Sequence, residues 1–282
     1  MSTRGSTRTI LLGLFIGGWV AAIATASLSQ SALALDANTT DPRAIMRAAL
    51  EAQTPAQRAS RMKMSIKDRS GTRERLLNVW MKRFDDARKT LILIEQPADV
   101  RNTGFLSIDY RAPSKTDEQW LYLPKLHRVT RVPASGKANS FVGSDFSLFD
   151  LSQQDPDGYD AKMIDANGKV GNEPCWIIEG TPRSATLKEE SGYEKTQFWV
   201  SKKTLVMLQL KATLVGGKRV KYYKASDIRK VDGTWTPHHM QMRTLDGSNV
   251  VSETLVDVVA ADASAANLTE ADFTQQRLER GI

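Results

Sequence analysis

From Arg58 onward the apolar residues of this chain recur at every second position: Met62, Met64 and Ile66 alternate with Arg61, Lys63, Ser65 and Lys67. Successive side chains of an extended strand point to opposite faces, so this run suits a strand with one apolar and one wet face and does not suit a helix. Ser70-Gly71 then supplies a turn, and Leu77, Val79 and Met81 resume the alternation, which predicts an antiparallel hairpin. Further strand-like runs follow at 89–95, 104–111, 118–123, 175–180, 196–200, 205–214, 219–227, 236–243 and 250–259. Gly216-Gly217, Asp232-Gly233 and Asp246-Gly247 provide turns between them. So many strands in meander order predict one large, curved antiparallel sheet.

Helices are few. Asp41-Pro42 reads as an N-cap followed by proline in the first turn, and Ala44, Ile45, Ala48 and Ala49 continue at helical spacing to about Ala52. Residues 124–159 break the strand rhythm and are too long for a hairpin loop, so an inserted helical element is expected there. Asn267, Thr269, Asp272 and Phe273 predict a short C-terminal helix or turn, and 277–282 a tail. With no repeat and no low-complexity linker, residues 35–282 are expected to form a single domain.

The first residues have another purpose. Arg4 and Arg8 precede an apolar run over 10–26, and Ala32-Leu33-Ala34 places small residues where signal peptidases cut. A cleaved signal peptide over 1–34 is therefore expected, and with it a periplasmic location. The run is short for a membrane anchor, and its Ala, Gly and Ser dilute it further. Cys175 is the single cysteine, so no internal disulfide can form and stability must come from the core.

Groups able to titrate near neutrality are scarce: His127, His238, His239 and Cys175. On a strand, His238 and His239 would point to opposite faces and could not share a metal. Gly143-Ser144-Asp145 lacks the Gly-x-Ser-x-Gly pattern of a nucleophile elbow, and Gly216-Gly217-Lys218 lacks the spacing of a phosphate loop. Asp85-Asp86 and Glu189-Glu190 fall in predicted turns, and Cys175 lies in an apolar strand pattern beside Trp176. Neither an enzyme nor a metal or other cofactor is expected. The formal net charge of +7 is scattered rather than striped with aromatics, which argues against nucleic acid but allows transient contact with an anionic membrane surface.

A wide sheet with few helices leaves much apolar strand face to cover. Met62, Met64, Met81, Met207, Met240 and Met242 fall at alternating positions, where flexible thioethers can line an adaptable apolar cavity or fill a core. Strand parity assigns the lining to Met62, Met64, Ile66, Leu77, Val79, Met81, Leu91, Leu93, Leu106, Ile108, Leu121 and Leu123.

One spaced string carries a family likeness. Gly104-Phe105-Leu106, Gln119-Trp120-Leu121-Tyr122-Leu123-Pro124, Arg128-Val129-Thr130-Arg131-Val132 and Ser140-Phe141-Val142-Gly143-Ser144-Asp145-Phe146 with Asp150-Leu151 resemble the signature of the outer-membrane lipoprotein-sorting-like family. These proteins are relatives of the periplasmic carriers LolA and LolB. The resemblance implies an α+β fold in which a highly curved antiparallel sheet, an unclosed β-barrel, wraps a few helices around an apolar cavity. It also implies a carrier that shuttles lipid or lipoprotein cargo between inner-membrane and outer-membrane partners, with an inner-membrane exporter of the resistance-nodulation-division (RND) type as one such partner. Arg128 and Arg131, three residues apart, are expected to meet Asp145 or Asp150. Together with Trp120, Tyr122, Phe141, Ser144 and Phe146 they would form a lid or docking surface over the cavity mouth, the plainer reading being an ion pair that holds a loop. Two other functions stay open: a non-carrying structural or regulatory partner of an envelope export complex, and an envelope-lipid or glycan enzyme that uses Ser144.

Overall fold

In the computed structural model, which describes residues 35–112, 114–262 and 267–282, Asp41 caps the first helix as expected. Its carboxylate accepts hydrogen bonds from the amides of Arg43 and Ala44, and Pro42 opens α1 (Pro42–Gln53). The signal peptide expected over 1–34 lies outside the described residues.

The rest is dominated by strands: β1 (Gln57–Asp68), β2 (Gly71–Arg83), β3 (Ala87–Gln96), β4 (Gly104–Tyr110), β5 (Glu118–Leu123) and β6 (Arg128–Arg131), then β7 (Tyr159–Val170), β8 (Glu173–Pro182), β9 (Tyr193–Ser201), β10 (Met207–Leu214), β11 (Arg219–Val231), β12 (Thr234–Asp246) and β13 (Asn249–Asp262). Between them lie the short helices α2 (Ala134–Lys137) and α3 (Ala185–Ser191), and α4 (Gln275–Arg280) follows the last strand. All thirteen strands form one antiparallel sheet in the order β6-β5-β4-β3-β2-β1-β13-β12-β11-β10-β9-β8-β7. The chain thus starts in the middle, meanders to the β6 edge, crosses to the β7 edge, and meanders back until β13 pairs with β1. That crossing explains the length of the insert: residues 132–158 must reach from one edge of the sheet to the other.

The sheet curls into an unclosed barrel. α1 touches both β12 and β7, which are far apart in strand order, so the sheet must bend around it. Phe141 of the insert meets Phe105 on β4 while Phe146 meets Tyr223 on β11. We call the face that holds α1 and the insert the inner face.

Two strands escape the alternation rule, and both are edges. β6 has four residues with an exposed Arg at each end. β7 is polar and twice bulged, and its Asn167-Gly168 reads as a turn although Gly168 sits in the strand, where a Cβ would collide with the Ile177 side chain at 2.5 Å. Short, charged or bulged edges also discourage sheet-to-sheet aggregation.

Cross-strand partners lie on one face, and this corrects the expected lining. Ser60, Val79, Ile92, Phe105 and Leu121 follow one another across β1 to β5 on the inner face; Ala59, Trp80, Leu91, Leu106 and Trp120 follow on the outer face. Leu91, Leu93, Leu106 and Ile108 therefore belong to the outer face, and Ile92, Ile94 and Phe105 take their place inside. β3 reads Leu-Ile-Leu-Ile because both of its faces are covered, so alternation carries no parity information there. The cover outside is the C-terminal segment, which is not a free tail. Leu268, Phe273 and Leu278 pack on Leu91, Leu93, Leu106 and Tyr122, with Leu278 fully buried in α4.

Candidate functional site

The inner face of β1 to β5 and β13 is a continuous apolar surface built from Met64, Ile66, Leu77, Val79, Ile92, Ile94, Phe105 and Val256, with Met62, Met81, Leu121 and Met240 half-buried around it. Eight of the twelve expected lining residues are placed as parity predicted: Met62, Met64, Ile66, Leu77, Val79, Met81 and Leu121 pack here, and Leu123 shares their parity on β5 but lies at its exposed end. Methionines thus come together from β1, β2 and β12, giving the surface a deformable stretch.

The insert fills this surface. Phe141 is 1% exposed and Leu148 5%, both against the apolar face, while Val142, Phe146 and Leu151 pack at its margin. Residues 140–147 double back on themselves: the Phe141 amide donates to the Phe146 carbonyl, and Ser140 bridges Ser147. The turn forces Val142 to φ 47° and Gly143 to φ 79°. A β-branched residue in left-handed conformation is strained, and such strain persists only where surrounding contacts hold it.

Those contacts are polar. Asp145, 4% exposed, accepts hydrogen bonds from the hydroxyls of Thr244 (2.5 Å), Ser252 and Thr254 (2.7 Å), and its amide donates to Thr254 Oγ1 (2.9 Å). A buried carboxylate is costly without such partners, and here three hydroxyls from neighbouring strands β12 and β13 supply them. Asp150 accepts from the Tyr193 hydroxyl (2.6 Å) and the Ser147 amide (2.8 Å), and pairs with the buried Lys221 at 3.4 Å. Burial and the Asp150 charge push the Tyr193 hydroxyl well above its ordinary pKa, so it stays a donor. Lys137 of α2 reaches Glu190 of α3 at 2.9 Å.

The expected Arg–Asp element is not formed. Arg131 lies outside at 3.7 Å from Glu118 and stacks on Trp120, and Arg128 is exposed on β6. Trp120 and Tyr122 share a strand face as expected, but it is the outer one. Arg128 and Arg131 stay out because β6 is an edge strand whose arginines find water cheaper than burial. Thr244 and Thr254 were legible as hydroxyl residues breaking apolar positions on their strands, yet nothing local links them to a loop about a hundred residues away.

The remaining chemistry-bearing groups are dispersed. Ser144 Oγ is engaged with the Phe146 backbone, closing the turn. His239 contacts Asp257 at 2.6 Å, His238 the Thr236 carbonyl, and His127 sits exposed after β5. Burial pushes the Cys175 thiol up to about 11. Near the β4–β5 turn, burial and then the neighbouring Asp109 raise the Asp117 carboxyl to about 6, although the Tyr110 amide donates to it. Asp109 is raised by burial as well, against the attraction of Arg88 at 3.4 Å. On the outer face Leu106, Ile108, Glu118 and Trp120 line an open depression of about 500 Å³ beside Phe273 and Gln276.

A curled, unclosed sheet of this order has known counterparts. An outer membrane lipoprotein-sorting protein domain from Vibrio parahaemolyticus superposes with a TM-score of 0.75 at 25% identity, covering 85% of this chain and 98% of that one. A DUF1329 family protein from Desulfovibrio piger gives 0.75 at 28% identity, covering 85% of this chain and all of its own. A family model described as an uncharacterized protein matches residues 86–280. The chain belongs to the outer-membrane lipoprotein-sorting-like family. A LolA superfamily protein from Nitrosomonas europaea shares the fold of this family at 16% identity and TM-score 0.63, covering 85% and 99% of the two chains. No curated protein matches the sequence. The sorting-like fold thus accounts for the unclosed barrel.

Proposed function

We propose that this sorting-like chain is a periplasmic, non-enzymatic carrier whose inner face holds an acyl chain of a lipid or lipoprotein. One observation carries the reading: the apolar inner face is covered by an irregular insert held through hydroxyl and carboxylate contacts rather than by a packed helix layer. An acyl chain that takes the place of Phe141 and Leu148 keeps the apolar face dry, while the freed polar groups of the insert regain water. Burying a chain gains roughly 0.8 kcal/mol per methylene, so a long acyl chain can offset the contacts that the insert gives up. Release then follows when a partner offers the chain a better site, because cargo moves only down a difference in affinity.

Likeness to the Vibrio parahaemolyticus lipoprotein-sorting domain supports lipidated cargo as the class. Movement between inner-membrane and outer-membrane partners follows from the family reading, and an RND-type exporter enters it only as a candidate donor. The tight filling of the inner face by Phe141 and Leu148 favours a second reading, in which the protein binds envelope partners and never carries lipid.

Uptake of a fluorescent palmitoyl probe separates the two. The carrier reading expects saturable one-to-one binding, tightened several-fold by Phe141→Ala, which empties the face, and weakened at least tenfold by Met81→Glu. Absence of uptake by folded wild-type and Phe141→Ala protein alike would leave the partner-binding reading.

A further inference from the structure

In an antiparallel meander every second connection returns to the same end of the sheet. The β1–β2, β3–β4, β5–β6, β8–β9, β10–β11 and β12–β13 connections therefore share one rim, spaced roughly 10 Å apart because two strands separate each from the next. Among the described residues, three of the four most exposed large apolar side chains sit along it, Leu126 (65%), Val215 (53%) and Val250 (53%), with Leu123 beside Leu126. Cations flank them. Lys67 and Arg69 border the β1–β2 turn, Arg101 lies in the β3–β4 turn, Lys125 and Arg128 in or after the β5–β6 turn, and Lys218 in the β10–β11 turn, all exposed.

The acids at this rim are largely matched. Asp68 pairs with Arg73 (2.6 Å), Glu253 with Arg243 (2.6 Å) and Asp246 with Arg219 (3.5 Å); Asp99, and at the α3 end Asp155 and Glu189, have no ion pair. Among the described residues Lys67, Arg69, Arg101, Lys125, Arg128 and Lys218 have no carboxylate within 4.0 Å. Between the β1–β2 and β12–β13 turns, Lys67, Arg69, Arg243 and Val250 border a depression of about 490 Å³ that also contains Asp68 and Glu253. The opposite rim lacks this bias: Asp85, Asp86 and Asp232 stand there beside Arg111, Lys115, Lys202 and Lys203.

We infer that the rim bearing Leu126, Val215 and Val250 docks on a bilayer surface containing anionic phospholipid. Exposed aliphatic side chains at turn tips can enter the boundary between headgroups and acyl chains, and the surrounding lysines and arginines meet the phosphates; neither contribution is strong alone, and together they give reversible binding. The inference deepens the carrier reading by naming the surface at which the protein would load or unload, yet it rests on residues that take no part in the inner face.

Co-sedimentation with phosphatidylglycerol/phosphatidylcholine vesicles tests it, with pure phosphatidylcholine vesicles alongside. Binding is expected only to the anionic vesicles and should weaken as salt screens the charges. The combined variant Arg69→Glu, Lys125→Glu, Lys218→Glu should lose at least about tenfold in affinity, and Leu126→Ser, Val215→Ser, Val250→Ser several-fold, both with unchanged thermal melting. Arg111→Glu with Lys115→Glu at the opposite rim should bind as wild type. Equal binding to neutral vesicles, no binding to either kind, or equal losses from both rims would overturn the inference. Palmitoyl-probe uptake by the same rim variants keeps the readings apart: failure of uptake in wild-type protein counts against the carrier and not against rim-dependent docking.

Discussion

Asp145 shows how one side chain can set the conformation of a whole segment. Its carboxylate gathers hydroxyls from β12 and β13 and pins the strained Phe141–Phe146 turn against the sheet. Replacing it leaves two buried hydroxyls, Thr244 and Thr254, and the half-buried Ser252 without their acceptor, so Asp145→Ala should lower stability by about 3 kcal/mol, and Asp145→Asn by less, as read from urea unfolding. Asp117 gives a pH signature instead. Its carboxyl is raised from the ordinary 3.8 to about 6 in the folded chain, so the folded state keeps a proton that the unfolded state has released. Stability contributed by this group is complete below about pH 4 and is lost as pH rises to about 6. Asp117→Asn should flatten that part of the stability profile, leaving the slope of Asp109, which is raised in the same direction. At this scale the sequence was misleading about partners. Arg128, Arg131, Asp145 and Asp150 have complementary charges and short separations, but side-chain pairing is decided by which face and which edge each residue occupies: β6 is an edge strand, and Asp145 is held at β12 and β13 in the middle of the sheet.

At the scale of elements, period-two alternation, with flanking turns, located β1 to β5 and β8 to β13, although both faces of β3 and β4 are covered. It failed at the edges. β6 and β7 need no apolar stripe, since neither is sandwiched between two neighbours, and β7 carries a turn-like Asn-Gly inside a bulge. Parity failed at β3 for the opposite reason: Leu91 and Leu93 are as buried as Ile92 and Ile94 because a second layer covers the outside. That layer is the C-terminal segment, whose helix reads as a tail because Leu278 is its single large apolar residue. Leu278→Ala should therefore cost about 3 kcal/mol and raise amide exchange across α4 and the outer face of β3 and β4, whereas exposed Glu279→Ala should change neither.

For the molecule as a whole, the curl and the crossing insert belong to one design. A meander that begins at its centre must cross from one edge to the other once, and the least exposed route runs through the concavity. The insert is thus placed where an apolar ligand would otherwise lie. The general architecture was legible from turns, alternation and the family string; the occupant of the inner face was not, because it depends on contacts such as Asp145 with Thr254 that span over a hundred residues. The central claim is that this face exchanges the insert for an acyl chain. Mass spectrometry of an organic extract of the protein, purified without detergent beside a folded Met81→Glu variant, tests it most directly. A near-stoichiometric acyl lipid or lipopeptide in the wild-type extract, depleted in the variant, is the predicted result. Equal amounts in both, or a clean wild-type extract from protein that also refuses added acyl lipid, would contradict it.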